Sequence, residues 1–377
     1  MIITIVCDVL GQENNGTTIA AMNLIRYLES QNHTVKILCS QQENPDNNFY
    51  MVGNRDFWIF NDYVKKNGVS LAKPDEDIIA KAIDGSDIVH IMLPFALGRK
   101  SAEYAYSKHI PVTAGFHVMA ENFSSHIFMK NSSIVNRLTY AHFEKMYKYC
   151  SAIHYPTQYL RDLFEKIYGK TNGYVISNGV NSIFKPIPHE FDLNNKITIL
   201  YSGRYSKEKC QSVLIKAIDK SKYKNKIELI LAGTGPMKEK LEKLAKKKNV
   251  NANFNFYARE EMVKVINTAY LYVHAADIEA EGISCLEAIS CGVVPIICNS
   301  PKSATKFYAL DERSLYKKND YKELAKKIDY WIDNPSLREE ASKKYIEMSK
   351  EKFDQTACMK KMEEMLLETI ANYKKVD

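Results

Sequence analysis

Two glutamates, Glu279 and Glu287, are separated by seven residues in the stretch ADIEAEGISCLEAISCGVVP, residues 276–295. Between them lie Gly282, a turn of small residues and the start of an apolar helix. Cys-Gly-Val-Val-Pro then reads as a helix stop running into a buried strand. A helix that starts after a glycine turn offers free backbone N–H groups and a positive dipole end to an anion. A glutamate one turn inside that helix reaches hydroxyls beside the anion. The combination describes a pocket for a phosphate attached to a sugar. A glycoside hydrolase also uses two carboxylates, about 5–10 Å apart. Along one helix this pair would be ~12 Å apart at 1.5 Å per residue. Placing Glu279 in the loop before the helix lets both face one ligand. The plainer reading of Glu287 is a dipole partner in the first turn.

Three further segments carry candidate chemistry. In SGRYSKEK (202–209), Arg204 and Lys209 follow a strand, at the end where open α/β sheets bind ligands. A forked guanidinium and a point-charge ammonium could clamp a diphosphate. In LAGTGPMKEKL (231–241), Gly233 and Gly235 permit a tight turn and Pro236 suits a first helical position, so this unit can be structural only. In TAGFHVMAENFSSH (113–126), His117 lies just past a strand end, followed by Glu121 and Asn122. A neutral imidazole there can exchange a hydrogen bond with a sugar hydroxyl, or be an ordinary satisfied histidine. Near the N-terminus, Gly16 and Thr17 open a helix after a strand and a polar loop. Their N–H groups could approach a phosphate, although the loop is neither G-x-G-x-x-G nor a P-loop.

These segments need strands and helices in alternation. Residues 2–7, 34–39, 87–91, 111–115, 152–155 and 174–176 read as strands, with amphipathic helices at 17–31, 98–108, 133–149 and 157–168. That is the βαβ pattern of a parallel sheet covered on both faces. Residues 177–195, rich in Gly, Asn and Pro, form a linker. The pattern restarts with strands at 197–203, 227–233, 253–257, 270–275 and 293–298. Helices are expected at 209–220, 237–248, 259–268, 284–291 and 320–333, and a nearly continuous helix from 335 onward. The expected organisation is α/β, with a first domain over 1–180, joined by 352–377, and a second over 181–351.

The 377 residues suit two domains, and 45% apolar with 26% charged residues is a soluble globular balance. The net charge of +7 fits an anionic ligand or membrane surface and does not require nucleic acid. Eight cysteines without C-x-x-C indicate reduced thiols and a cytoplasmic setting, with no zinc site. The first strand has no signal-peptide pattern, and no apolar run reaches the ~18–20 residues that span a bilayer. Membrane association is therefore expected to be peripheral. Lysine-rich KEKLEKLAKKK (238–248) reads as a solvated helix face.

Taken in order, the Gly16 loop, FH at 116–117, SNGV at 177–180, GRYSKEK at 203–209, GTGP at 233–236 and EAEGISCLEA at 279–288 resemble the family-4 glycosyltransferases of the GT-B fold. The likeness covers nearly the whole chain. It implies two Rossmann-like domains facing a central cleft and a C-terminal helix crossing back to the first domain. It also implies a nucleotide-sugar donor, retention of anomeric configuration, no metal and no tightly bound cofactor. By the resemblance, Arg204 and Lys209 bind the donor diphosphate and Glu287 the ribose. Glu279 meets donor-sugar hydroxyls, with backbone N–H groups of Gly282, Ile283 and Ser284. His117 sits beside the donor sugar, Gly233 borders the site, and Tyr257 and Arg259 frame the base. Two departures stand out. Asn15-Gly16 replaces a glycine pair, and IEAEGIS replaces E-G-F-G, so Glu279 competes with Glu281 as the first acid. The seven-residue spacing favours Glu279.

Residues 117–162 also resemble bacterial diacylglycerol glucosyltransferases. Lys130, Arg137, Lys145 and Lys148 interleave with Ile127, Phe128, Leu138, Tyr140, Phe143, Met146 and Tyr147, a composition suited to an anionic bilayer. The alternative is a surface helix whose apolar face is core. The expected activity is transfer of a hexose, glucose first among the candidates, from a UDP-sugar (UDP-glucose in that case) to a lipid acceptor such as diacylglycerol, at the cytoplasmic face of the membrane. Alternatives are a capsule, teichoic-acid or other glycan acceptor, a UDP-sugar epimerase, or a non-catalytic sugar-nucleotide-binding subunit.

Overall fold

The computed structural model describes residues 1–8, 10, 16–40, 48–54, 71–121 and 133–373. The sequence features at Asn15, Asn122, Ile127, Phe128 and Lys130 lie outside these. The chain divides into two compact units, Met1–Asn178 with Thr356–Asp377, and Gly179–Gln355.

The first unit runs β1 (Ile2–Val6), α1 (Gly16–Ser30), β2 (Thr34–Cys39), β3 (Phe49–Met51), α2 (Glu76–Ile83), β4 (Ile88–Ile91), α3 (Ala96–Ser107), β5 (Val112–Gly115), α4 (Ser133–Tyr147), β6 (Ala152–Tyr155), α5 (Gln158–Tyr168) and β7 (Gly173–Val175). Its seven strands are all parallel, in the order β3-β2-β1-β4-β5-β6-β7. β4, β5 and β6 are buried throughout, as a sheet covered on both faces requires. The short β3 and α2 are additions to the expected elements. α2 carries a capping signal, since Asp75 accepts from Ile78 N–H at 3.1 Å with Glu76 and Asp77 in the first turn.

The second unit runs β8 (Ile197–Ser202), α6 (Gln211–Lys220), β9 (Ile227–Ala232), α7 (Lys238–Lys247), β10 (Ala252–Asn255), α8 (Arg259–Asn267), β11 (Leu271–His274), β12 (Ile278–Glu279), α9 (Ile283–Ser290), β13 (Val294–Asn299), β14 (Lys302–Ser303), β15 (Leu315–Lys317), α10 (Tyr321–Asp333) and α11 (Pro335–Lys352). Six strands form a parallel sheet ordered β10-β9-β8-β11-β13-β15, and β12 pairs with β14 apart from it. Strand order reverses between β8 and β11. That is the switch point outside whose strand ends α/β proteins place ligands.

The expected continuous tail is broken. α11 ends at Lys352, and α12 (Gln355–Tyr373) begins after Phe353 and Asp354. The break is filled by strand-like pairing, in which Val180 N–H donates to Phe353 O at 2.7 Å. Gly179 explains part of the SNGV sequence. Its φ is +73°, and a Cβ there would lie 2.6 Å from Gln355 Cα. α12 belongs to the first unit, where Met359, Met362, Met365 and Leu366 are buried against α1 and the sheet. Glu363 accepts from Tyr27 OH at 3.1 Å and meets His33 Nε2 at 2.6 Å, while Tyr174 OH donates to Glu368 at 2.9 Å.

α4 corrects part of the bilayer-facing reading. Tyr140, Phe143, Met146 and Tyr147 are buried in the first unit, and Phe116 packs against Tyr140 and Tyr147. The opposite stripe, Ile134, Arg137, Leu138, Ala141, Lys145 and Lys148, is exposed. Its spacing of three, four and seven puts these residues on one face.

Candidate functional site

The loops after β8, β9 and β11 meet at the switch point of the second unit. After β8 the chain turns through Gly203 and Arg204 into a short 3-10 turn, Lys207–Lys209. After β9 it turns through Gly233, Thr234 and Gly235. The two turns are laced by backbone bonds, with Gly203 N–H on Ala232 O at 2.9 Å and Tyr205 N–H on Thr234 O at 2.7 Å. A Cβ on Gly233 would lie 2.2 Å from Gly203 O, and one on Gly235 2.5 Å from Tyr205 O. Carbonyl oxygens of a packed turn cannot move away, so both positions exclude every side chain. The GTGP glycines thus hold the GRYS turn against the sheet.

After β11 the chain passes through β12, carrying Glu279, to Gly282, which caps α9 at φ +80°. A Cβ there would lie 2.4 Å from Thr305 Cγ2 and 3.2 Å from Glu279 Cγ. Ser284, in the first turn of α9, fastens this helix end to β8. Its hydroxyl donates to Ser202 O at 3.1 Å and lies 3.1 Å from Tyr272 OH. The first N–H groups of α9, at Ile283 and Ser284, have no acceptor within their own helix. They supply the positive helix end expected at the anion position.

The structure brings Lys209 and Glu279 into a direct ion pair, 70 residues apart in sequence. His274, at the end of β11, places Nε2 3.3 Å from the same Glu279 oxygen, within ion-pair range but without hydrogen-bond alignment. Its Nδ1 lies 3.4 Å from Tyr272 OH. Burial alone would raise the Glu279 carboxyl; the Lys209 charge, with His274, overcomes this and holds it at about 2. Glu279 is therefore an ionised acceptor of hydrogen bonds at neutral pH, not a proton donor. Glu281 is buried, close to Tyr308. Asp277, also buried, pairs with Lys318 at 2.7 Å and Ser300 at 2.9 Å, and its N–H donates to Glu208 O at 2.7 Å. That bond ties the turn carrying Lys209 to the loop carrying Glu279.

Glu287 lies in α9, its carboxyl pushed up to about 7 by burial and partly drawn back by the Arg259 charge. Arg259 opens α8 with its guanidinium 5.6 Å over the Phe184 ring. Tyr257 OH accepts from Asn255 Nδ2 at 3.2 Å. Arg204 is partly buried, which lowers its guanidinium while Glu208 raises it; its carbonyl accepts from Gln211 Nε2 at 2.7 Å. Gly16, Thr17 and His117 belong to the first unit. Gly16 opens α1. His117 follows β5, its ring folded back over Gly115.

His274 is absent from the sequence expectations because it reads as one more residue of the strand YLYVHA. Its signal is positional, the last residue of β11 at the switch point. Among the described residues, no three His, Cys, Asp or Glu side chains are placed to hold a metal ion. No helix there is long and apolar enough to cross a membrane.

Two family models tile the chain. Glycosyltransferase Family 4 matches residues 14–182, and Glycosyl transferases group 1 matches residues 185–348. The chain is 26% identical over 234 residues to an alpha-monoglucosyldiacylglycerol synthase of Streptococcus pneumoniae (strain ATCC BAA-255 / R6). That match takes in 57% of this chain and 52% of the relative, so the chain spans about half the relative's length. A solved catalytic domain of cholesterol-alpha-glucosyltransferase from Helicobacter pylori is 50% identical, over 41% of this chain and 98% of that one, with a TM-score of 0.41. Anabaena Alr3699/HepE, solved with UDP-glucose, is 14% identical over 98% of this chain and 100% of that one, with a TM-score of 0.75, a likeness of fold.

Proposed function

The chain belongs to the family-4 glycosyltransferases of the GT-B fold, and from that premise we propose that it transfers glucose, with retention, from UDP-glucose to the hydroxyl of a lipid such as diacylglycerol. The observation that carries the reading is the Lys209–Glu279–His274 cluster, set beside the N-terminus of α9 at the switch point. A fixed cation and a positive helix end stand next to an ionised carboxylate. That arrangement suits a diphosphate joined to a polyhydroxylated ring.

In this reading Arg204, Lys209 and the N–H groups of Ile283 and Ser284 receive the diphosphate, with Gly16 and Thr17 a second set of N–H groups for it. Their charge is in place before the bond breaks, so leaving-group charge is stabilised without reorganisation. Glu279 accepts from donor-sugar hydroxyls, Glu287 from the ribose, and Tyr257 and Arg259 border the base. His117 takes a hydrogen bond from the donor sugar. The acceptor oxygen bonds to the anomeric carbon on the face that the diphosphate leaves, and the acceptor proton passes to the departing phosphate oxygen. Neither a metal nor a covalent enzyme intermediate enters these steps.

The acceptor side rests on α4. Its outward stripe interleaves Ile134 and Leu138 with Arg137, Lys145 and Lys148, apolar anchors beside cations. The test is radiolabelled UDP-glucose with phosphatidylglycerol vesicles that contain or lack diacylglycerol. Label entering the organic phase only with diacylglycerol is the expected result. Ile134→Glu with Leu138→Glu should cut vesicle binding at least tenfold, since each exposed apolar side chain contributes about 1–2 kcal/mol on burial, and leave UDP binding intact. Label transferred only to a soluble glycan would overturn the lipid reading. Transfer to a sterol or to a glycosylated diacylglycerol in place of diacylglycerol would correct the acceptor.

A further inference from the structure

Three histidines line one small cavity in the first unit, together with Asn178, Met359 and Met362. His90 of β4 and His154 of β6 are 0% and 1% exposed. His90 is in register with Thr113 of β5 and His154 with Gly115. Residues aligned across parallel strands share a face, as do residues two apart, so both imidazoles stand on one side of the sheet. His117 arrives from the loop after β5 and lies over Gly115. A Cβ on Gly115 would fall 2.2 Å from His117 Nε2, so only glycine leaves room for the ring. The His117 and His154 rings meet edge to face at 5.3 Å.

Each ring buries one nitrogen without a hydrogen-bond partner among the described residues: Nε2 of His90, Nε2 of His117 and Nδ1 of His154. The other nitrogens of the two strand histidines are engaged. His154 Nε2 lies 2.6 Å from Ile176 O, and His90 Nδ1 lies 2.9 Å from Thr113 Oγ1. A carbonyl only accepts, so His154 carries its proton on Nε2 and turns a lone pair of Nδ1 toward the cavity. Burial holds all three rings neutral, His90 near 3, His154 near 4 and His117 well below its ordinary value. An unpaired buried polar atom is costly, and a cavity of this size takes about one water.

We propose that one water molecule joins these three nitrogens, and that His154 and His90 thereby act as positioning residues for His117. Thr113 Oγ1 donates to Val89 O at 3.4 Å and so accepts from His90 Nδ1–H, which leaves His90 Nε2 an acceptor. The water donates its two hydrogens to His154 Nδ1 and His90 Nε2, and accepts from His117 Nε2–H. That commits His117 to one tautomer and turns its Nδ1 lone pair to the exposed edge of the ring. His117 then recognises a ligand hydroxyl that donates a hydrogen bond, and rejects one that only accepts. The inference rests on the reading of His117 as a contact to the donor sugar.

The test uses the full chain and two substitutions that divide the functions of His154. In His154→Gln an amide replaces Nε2 and keeps the bond to Ile176 O, but the cavity-facing acceptor is gone. In His154→Asn an acceptor replaces Nδ1. Side-chain 15N NMR of histidine-labelled protein should show wild-type His117 as the Nε2–H tautomer and His154→Gln as a mixture. kcat should fall about tenfold or more in His154→Gln through misplacement of His117, with UDP affinity unchanged, and recover in His154→Asn. An Nδ1–H tautomer of His117 in the wild type overturns the proposal even if the variants do not fold. So does an unchanged His117 spectrum in His154→Gln. A wild-type rate for His117→Ala would instead overturn the donor-contact reading and leave the tautomer result standing.

Discussion

Lys209→Ala should weaken UDP binding by roughly 10- to 150-fold, the loss expected for a charge-assisted contact of about 1.5–3 kcal/mol. A second effect accompanies it. Lys209 is the partner of Glu279, and their side chains are only 22% and 14% exposed. Removing one member of a buried pair leaves the other uncompensated, a loss of about 3–5 kcal/mol when burial is complete. Partial exposure puts this case at or below the lower end. The sign with pH follows from the depressed carboxyl. Glu279 titrates from 4.5 down to about 2, so the pair stabilises the fold fully above 4.5 and loses this as pH falls toward 2. Urea unfolding of Lys209→Ala should therefore show the largest destabilisation at pH 7 and little at pH 2.5. UDP affinity equal to wild type in calorimetry would rule out the diphosphate clamp.

Glu287→Gln should separate binding from stability in the opposite direction. The carboxyl is held at about 7, chiefly by burial, against 4.5 ordinarily. A raised carboxyl means the folded state holds the proton more tightly, so stability declines as pH rises from 4.5 to 7. Above pH 7 the full burden of the ionised group remains, about 1–3 kcal/mol once its partial exposure is discounted. The glutamine variant lacks that burden. Its Tm at pH 8 should exceed wild type by roughly 2–8 °C, with no gain at pH 4.5. UDP binding should weaken about tenfold or more, because a neutral amide replaces an ionised acceptor. Equal Tm values at pH 8 would mean Glu287 is not held by burial. Equal UDP affinities would remove it from the ribose.

The long elements were legible because each is an apolar run or an amphipathic period of ordinary length. β8, β9 and β13 read directly from ITILYS, IELILA and VPIICN. β3, β12, β14 and β15 span two or three residues and carry no period. α2 was missed although PDEDIIAKAI holds a cap and an acidic first turn. At the donor site, the spacing of Glu279, Gly282 and Glu287 was legible because the helix start lies between the two acids. The pairing of Glu279 with Lys209 was not, since only the adjacency of β8 and β11 in the sheet joins them. His274, His90 and His154 were hidden in strand runs. In a sheet buried on both faces, alternation no longer marks which residues line a site. α4 shows the reverse case. Its aromatic residues suit a bilayer by composition, yet the 140, 143, 147 period is that of a core stripe.

The nucleotide-sugar site is tested most directly by calorimetric titration of the intact chain with UDP, GDP and ADP, followed by donor hydrolysis over UDP- and GDP-hexoses. UDP-selective binding is expected, with slow turnover of UDP-glucose above the other hexoses. Absence of binding to every nucleotide would contradict it, because the cluster of Lys209, Glu279 and the α9 terminus would then serve the fold and not a nucleotide sugar.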